Sequence, residues 1–306
     1  MKAPLVSVLM TSFNREAFIA SAIESVLAQT MSDLELVVCD DASVDRTVEV
    51  ARAYAARDDR VRVVVNERNL GDYPNRNHAA TFARGTYLKY HDSDDLMYPH
   101  CLAVMAGYLE NAPTAVAALS GSRHWAGGAC PMLVTPALAY EREFLGGGLF
   151  HVGPGAALLR RQFFVEQGGF PLAGAGSDYL MWLRVCAASN VLLVPGDLFY
   201  YRVHPGQELA SEKNELDYVR AGAEAWAMLN SPLCPLTPRS REQAKRNCAY
   251  TTLRGAYRKF RRGRFRAAAT ALRYGGLTAG EWLRYLRRPH RVATAGTPTA
   301  TEEVRV

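Results

Sequence analysis

An α/β fold, with a mostly parallel sheet covered by helices on both faces and a helical C-terminal extension, is what this 306-residue sequence predicts. Three observations carry that expectation. Apolar runs of strand length alternate with amphipathic stretches through the first hundred residues, the spacing of strand–helix–strand units. Two of those runs end in carboxylates, at Asp40-Asp41 and at Asp92-Ser93-Asp94-Asp95. Beyond residue 210 the chain turns Ala- and Arg-rich, with a helical pattern.

Taken in order, residues 5–11 read as a first buried strand and Ser12-Phe13-Asn14-Arg15 as a turn. A helix over 16–29 places Phe18, Ile19, Ala22, Ile23, Val26 and Leu27 on one face. A strand over 34–39 follows, then Ser43 as an N-cap and a helix over 46–56. Residues 61–65 alternate as a third strand, and a turn-rich loop leads to a helix over 75–83. The fourth strand, 87–91, ends at the acid cluster, and Pro99 opens a helix over 101–109. After Val116 the pattern loosens around Gly146-Gly147-Gly148, Gly153-Pro154-Gly155 and Gly168-Gly169. A helix over 178–188 and a short strand over 191–194 are still legible. These elements divide the chain into 1–210, a basic helical region 211–291 and a tail, 292–306, of disordered composition.

The bulk numbers exclude several classes. A hydrophobic content of 49% suits a globular core, and no apolar run approaches the roughly 18 residues of a membrane span. Met1-Lys2-Ala3-Pro4 opens no signal peptide, and the six scattered cysteines form neither a disulfide framework nor a zinc pattern. A cytoplasmic protein is the expectation. The net charge of +6 hides an asymmetry: residues 239–291 hold 16 Lys or Arg against Glu242 and Glu281, while the rest carries 20 basic and 28 acidic residues. In the basic region, Arg258 to Arg266 and Trp282 to Arg288 interleave aromatics with arginines. An interfacial helix on an anionic membrane, at its cytoplasmic face, and a solvated structural cap both fit. Nucleic acid is not an expected partner, because the body is acidic and no base-reading motif occurs.

Three carboxylates at the end of a buried strand are costly unless a cation neutralises them, and hard divalent cations prefer oxygen ligands. In open α/β sheets ligands gather at the carboxyl ends of strands, so two acidic strand ends suggest a metal and a nucleotide side by side. The first strand-to-helix turn has no glycine, which excludes the G-x-G-x-x-G fingerprint, and no Walker motif is present.

The segments 6–15, 22–30 and 35–47, then Asn69-Leu70-Gly71, Arg76-Asn77 and Asp92-Ser93-Asp94-Asp95, resemble family 2 glycosyltransferases in order and spacing. The resemblance covers roughly residues 5–205 and is thin from 120 to 170. It implies a GT-A fold, Rossmann-like in its sheet, and a sugar nucleotide bound through Thr11, Phe13, Asn14, Arg15, Asp41, Arg76, Asp92, Ser93 and Arg202. Phe13 would stack on the base and Asp41 would accept from a pyrimidine N–H, which favours a UDP- or dTDP-sugar. Asp92 and Asp94 match the D-x-D acids. Asp94, Asp95 and His204 would hold Mn²⁺ or Mg²⁺ on the diphosphate. Asp178, opening Asp-x-x-x-Trp-x-Arg, matches the base of an inverting transfer to a hydroxyl of a glycan or lipid-linked acceptor, as in polysaccharide biosynthesis. The acidic pair usual before that motif is Ser177-Asp178 here, which keeps open a non-catalytic sugar-nucleotide- or glycan-binding protein on the same fold.

Simpler roles stand beside these. Asp40, Asp45 and Asp178 are possible helix caps, and the Asp92–Asp95 cluster a solvated turn. Phe13 and Trp182 fit a core, and His204 an ordinary loop hydrogen bond. Arg76 is equally suited to pairing with the acid cluster and to touching phosphate. Trp125 and Trp182 would also suit an acceptor-sugar pocket.

Overall fold

The computed structural model describes residues 3–120, 130–196, 198–204 and 214–286. Trp125 and the tail 292–306 lie outside them. Ten strands and eleven α-helices occur among the described residues: β1 (Val6–Ser12), α1 (Ile19–Leu27), β2 (Leu34–Asp40), α2 (Thr47–Ala55), β3 (Val61–Val65), α3 (Asp72–Thr81), β4 (Tyr87–Asp92), β5 (Leu96–Met97), α4 (Cys101–Glu110), β6 (Ala115–Ser120), β7 (Met132–Val134), α5 (Pro136–Leu145), β8 (Ala157–Arg160), α6 (Arg161–Glu166), α7 (Ser177–Ala188), β9 (Asn190–Val194), β10 (Phe199–Tyr200), α8 (Glu215–Asn230), α9 (Pro238–Arg261), α10 (Phe265–Tyr274) and α11 (Ala279–Leu286).

Eight strands form one sheet in the order β3-β2-β1-β4-β8-β6-β9-β7. Its first four strands are parallel, β6 and β9 are parallel, and β8 and β7 join antiparallel. The order reverses between β1 and β4, and the register sets Thr11 beside Asp92 and Ser12 beside Asp40. All three acidic or hydroxylated strand ends therefore meet at one edge, at the switch point where such sheets bind ligands.

Both faces of the sheet are buried, which is why these strands are continuous apolar runs. Val8 and Met10 of β1 pack with Ile19, Ile23 and Val26 of α1 and Leu102 and Met105 of α4. Leu9, one residue out of phase, belongs to the opposite cluster with Ala79, Tyr140, Trp182 and Leu183. That second cluster continues into Ala221, Ala225 and Leu229 of α8 and Ala244 of α9, so the C-terminal helices share the core of the sheet. A smaller cluster of Trp226, Ala249 and Leu277, with Trp282 and Tyr285 against it, holds α11.

The expected elements of the first hundred residues appear with shifted ends. The helix expected from residue 75 begins at Asp72, with Pro74 in its first turn. Ser43 does not cap α2: its hydroxyl donates to Asp40 (2.6 Å) and accepts from the Asn14 N–H (2.8 Å), and Asp45 accepts from Thr47 N–H (3.0 Å) instead. Asp40 stabilises the turn, not the helix, accepting from Ser12 Oγ and Ser43 N, both at 2.8 Å. The region that reads as irregular after Val116 contains β6, β7, α5 and β8. β8 sits centrally between β4 and β6, and its four residues are too short a run to show a period.

Candidate active site

The turns after β1 and β2 are bound to one another before any ligand is considered. Asn14 and Ala42 both have left-handed backbones (φ 52° and 62°), a conformation costing about 1 kcal/mol for an alanine. Asn14 Oδ1 accepts from Val44 N–H at 3.0 Å and Thr47 Oγ1 accepts from Arg15 N–H at 2.7 Å. Asn14 is thus spent on joining the two turns and does not border the cleft.

Thr11, Phe13, Arg15, Asp41, Arg76, Asp92, Ser93, Asp94 and Asp178 line one cleft of about 430 Å³ at this sheet edge. Phe13 is 43% exposed and no part of the core. Asp41 is buried and organises the wall opposite. It accepts from Asn66 Nδ2 (2.8 Å), Leu70 N (2.8 Å) and Gly71 N (2.9 Å), leaving lone-pair capacity for one more donor. Gly71, at φ 89°, is the residue that lets the chain turn its N–H onto Asp41 and start α3.

Arg76 does pair with the acids. Its Nε donates to Asp72 and one terminal nitrogen to Asp92, both at 2.8 Å, while its guanidinium lies over the rings of Tyr73 and Tyr90. Its remaining nitrogen, Nη1, is buried without a partner. Burial pushes the Asp92 carboxyl up, but the charge and hydrogen bond of Arg76 outweigh it and hold the group below the usual range. Burial raises Asp72 despite the same arginine, with Asp92 and Asp41 adding negative charge nearby. Asp72 lines the cleft and was missed in the sequence, because an acid in a helix's first turn is unremarkable there.

Asp94 sits between Arg15 and His204, with Arg15 Nε at 2.9 Å and His204 Nε2 at 3.0 Å. The His204 ring lies 4.5 Å from that of Phe18. Arg202 stays behind the acid loop: its N–H donates to Asp95 (2.9 Å), its Nε to the Asp94 carbonyl (2.8 Å), and its guanidinium covers Phe18. Asp95 faces a neighbouring cavity and not the cleft, and burial pushes its carboxyl up to about 7.

Asp178 is in the first turn of α7, but Gly176 occupies the N-cap position, so Asp178 is not the cap. Its carboxylate accepts from Tyr179 N–H at 2.6 Å. Burial raises its pKa to about 6, against that hydrogen bond and the charge of Arg76. Ser177 is fully buried, donating to the Gly174 carbonyl (2.7 Å) and accepting from Ala173 N–H (3.1 Å), and it borders neither cavity. Gly174, at φ 61°, lies against the Asp217 carboxylate of α8, which also accepts from Ala175 N–H at 3.2 Å. An α8 side chain therefore shapes the turn that presents Asp178, a link with no local signal in sequence. Trp182 is core, its indole N–H donating to the Val152 carbonyl at 2.8 Å.

Among the described residues, no group of three or more His, Cys, Asp or Glu forms a ready-made metal site, and no helix is long and apolar enough to cross a membrane. Asp94 with His204 offers two donors, a set that fits a cation completed by phosphate oxygens and water.

The family model described as Glycosyl transferase family 2 matches residues 7–167, more than half of the chain. The chain belongs to that family. A putative glycosyltransferase of Bacillus subtilis, EpsE, is 40% identical over 108 residues, 35% of this chain and 39% of EpsE. The chain thus spans well under half of that relative. The Escherichia coli protein WfaP is 27% identical over 230 residues, 69% of this chain and 82% of its own. WfaP is described as a UDP-Glc:alpha-D-GlcNAc-diphosphoundecaprenol beta-1,3-glucosyltransferase. Staphylococcus aureus TarS 1–349, solved with UDP-GlcNAc, superposes with a TM-score of 0.63 at 20% identity, covering 92% of this chain and 79% of that one. The mannosyltransferase PcManGT of Pyrobaculum calidifontis, solved with GDP-Man and Mn²⁺, gives 0.59 at 18% identity over 94% and 80%. At these identities the superpositions establish the fold, which is GT-A.

Proposed function

We propose that this family 2 member transfers a glycosyl group from a nucleoside-diphosphate sugar to an acceptor hydroxyl with inversion at the anomeric carbon. The observation that carries the reading is the position of Asp178. It stands where the 430 Å³ cleft, with its base-sized aromatic and its acids, meets a second, larger cavity. A base between a donor and an acceptor is what a direct displacement requires.

In this reading Phe13 stacks on the base, Asp41 accepts from its ring N–H, and Thr11 and Ser93 border the same wall. The chemistry of Asp41 suits uracil or thymine, with a ring N–H to donate. Asp94 and His204 would hold Mn²⁺ or Mg²⁺, which supplies charge neutralisation to the departing diphosphate. Arg76, held by Asp72 and Asp92, keeps Nη1 for the donor. The acceptor oxygen attacks the anomeric carbon, the bond to the diphosphate oxygen breaks with its electron pair leaving on the nucleotide, and Asp178 takes the hydroxyl proton. Membrane association at the cytoplasmic face belongs to the same reading, carried by the basic helices.

A thermal-shift panel of UDP, dTDP, GDP and ADP with and without Mn²⁺ tests the donor half, since a ligand of the folded state raises apparent stability. UDP or dTDP with Mn²⁺ should raise the midpoint by several degrees. A panel in which no nucleotide shifts it removes the donor assignment.

A further inference from the structure

Behind the cleft lies a polar network that the proposed reaction leaves unused. Asp41 stands at its front, bordering the cleft, while Asn66 and His78 lie behind it, outside the cleft's lining. Asn66 and Asn75 are both buried. Asn66 Nδ2 donates to Asp41 Oδ1 at 2.8 Å and to Asn75 Oδ1 at 2.9 Å, and Asn75 Nδ2 donates to the Cys39 carbonyl at 3.0 Å. Asn66 Oδ1 lies 2.9 Å from His78 Nδ1. Asn75 and His78 are one helical turn apart on α3, so one face of that helix reaches the end of β2 while Arg76 reaches the acid cluster.

The direction of every bond in this network is forced from its ends. A carboxylate and a peptide carbonyl only accept. Facing the Cys39 carbonyl, the Asn75 amide must present its nitrogen, which turns its oxygen to Asn66. Facing Asp41 and that oxygen, Asn66 must present its own nitrogen with both hydrogens. Its oxygen is left for His78, whose Nδ1 therefore carries a proton. The Cys39 thiol, pushed up to about 12 by burial, is a weaker second donor 3.9 Å from the same oxygen. Phe82 packs edge-to-face with the imidazole, ring centres 4.9 Å apart, and holds it in place. A reversed Asn66 would set its oxygen against the Asp41 carboxylate and against Asn75 Oδ1. With the Leu70 and Gly71 N–H groups also donating to it, Asp41 offers the cleft an acceptor held in a fixed direction.

We propose that His78 is a positioning residue for base selection. It fixes the orientation of the Asn66 amide, and through it the aim of Asp41 at a ring N–H in the cleft. Uracil and thymine carry such an N–H; cytosine has a bare ring nitrogen at the same position, an acceptor that a carboxylate repels. His78 does not border the cleft and acts through Asn66. This assignment rests on the donor reading above and adds the residues that set its choice of base.

The test titrates the full chain with UDP, dTDP and CDP in the presence of Mn²⁺. It is repeated on His78→Leu, which removes the donor, and on His78→Asn, whose amide nitrogen can take the place of Nδ1. The unaltered chain should prefer UDP or dTDP to CDP by about 10–150-fold, the worth of one hydrogen bond to a charged group. In His78→Leu that preference should shrink about tenfold through weaker UDP or dTDP binding, with CDP unchanged, and His78→Asn should restore it. A nitrogen NMR spectrum of the imidazoles in the unaltered chain, at about pH 8 where histidine is neutral, should show His78 as the Nδ1–H tautomer and needs no variant to fold. Equal weakening of all three nucleotides in His78→Leu, a preference that ignores both variants, or an Nε2–H tautomer at His78 overturns the proposal. An unaltered chain that binds none of the three strikes the donor reading, and the base selection that rests on it, while leaving the Nδ1–H tautomer in place, so the two failures are distinguishable.

Discussion

Replacing Asp178 by Asn separates the chemical role of this residue from its structural one. The amide keeps the shape of the side chain and an oxygen to accept from Tyr179 N–H, the hydrogen bond of 2.6 Å seen in the structure. Only the capacity to take a proton is lost. A positioned general base contributes about 10²–10⁴-fold, so turnover with a complete donor and acceptor should fall by that factor. With the carboxyl at about 6, roughly nine in ten molecules are ionised at pH 7 and one in ten at pH 5. The unaltered enzyme should therefore lose about tenfold in kcat/KM between those pH values, along a limb of unit slope below 6. Stability should move the other way. Burial raises this carboxyl, so its ionised form is the one the fold disfavours. The group's contribution is fully favourable below the ordinary carboxylate range and is lost as pH rises through about 6. A shift of about two units is at most about 3 kcal/mol, and solvent at this half-buried site reduces it to about 1–2. Asp178→Asn should accordingly be more stable at pH 7 by about that amount and more nearly level with pH. Nucleoside-diphosphate release measures the first effect and a denaturant melt at several pH values the second. Full transfer by the variant, or a variant both inactive and less stable, would refute the assignment of Asp178 as an ionised base.

Three further outcomes are expected. His204→Ala removes one of the two proposed metal ligands and leaves Asp94, so the Mn²⁺ dependence of the nucleotide thermal shift should weaken by about tenfold or more, and chelation should abolish transfer by the unaltered chain. Phe13→Ala should weaken nucleoside-diphosphate binding by about 5–150-fold, the equivalent of about 1–3 kcal/mol of stacking, with little change in melting temperature because the ring is half exposed; titration calorimetry reads this directly. Glu35, buried at the far end of the sheet, accepts from Ser7 Oγ (2.6 Å) and Arg84 N–H (2.8 Å) and pairs with Arg84 and Arg62. Burial pushes its carboxyl up but these partners hold it below the usual range, so its stabilisation is present at neutral pH and lost as pH falls through the depressed value. Glu35→Ala should cost about 2 kcal/mol at pH 7 and progressively less in acid, measured by urea melts.

The cleft at the strand ends was legible because it is written in short, contiguous stretches. Each of Ser12, Asp40 and Asp92 ends a strand, and parallel pairing in register brings strand ends together without further information. The acid cluster could be read as a site on electrostatic grounds alone. What its members do could not. Arg76 near the Asp92–Asp95 run left pairing and phosphate contact equally open, and the structure shows it bridging Asp72 and Asp92 with Nη1 still unpartnered. Asp95, three residues from Asp92 on the same loop, turns to the other cavity because the Arg202 N–H takes its carboxylate. Chain direction at a tight turn decides such questions, and it depends on partners a hundred residues away.

The second cavity is different in kind. Asp178 is presented by a turn whose shape depends on Gly174 meeting Asp217, and the cavity beyond it is lined from α8 and α9, Gly222 and Gly255 included. None of these residues carries a motif, and each is ordinary until its partner is known. The continuity of the core through Ala221, Ala225 and Leu229 makes the same point energetically: the helices after residue 210 bury surface that the sheet needs covered. A family resemblance centred on the first two hundred residues therefore points to the cleft residues and Asp178, while the wall of the second cavity is built by helices that the resemblance does not reach.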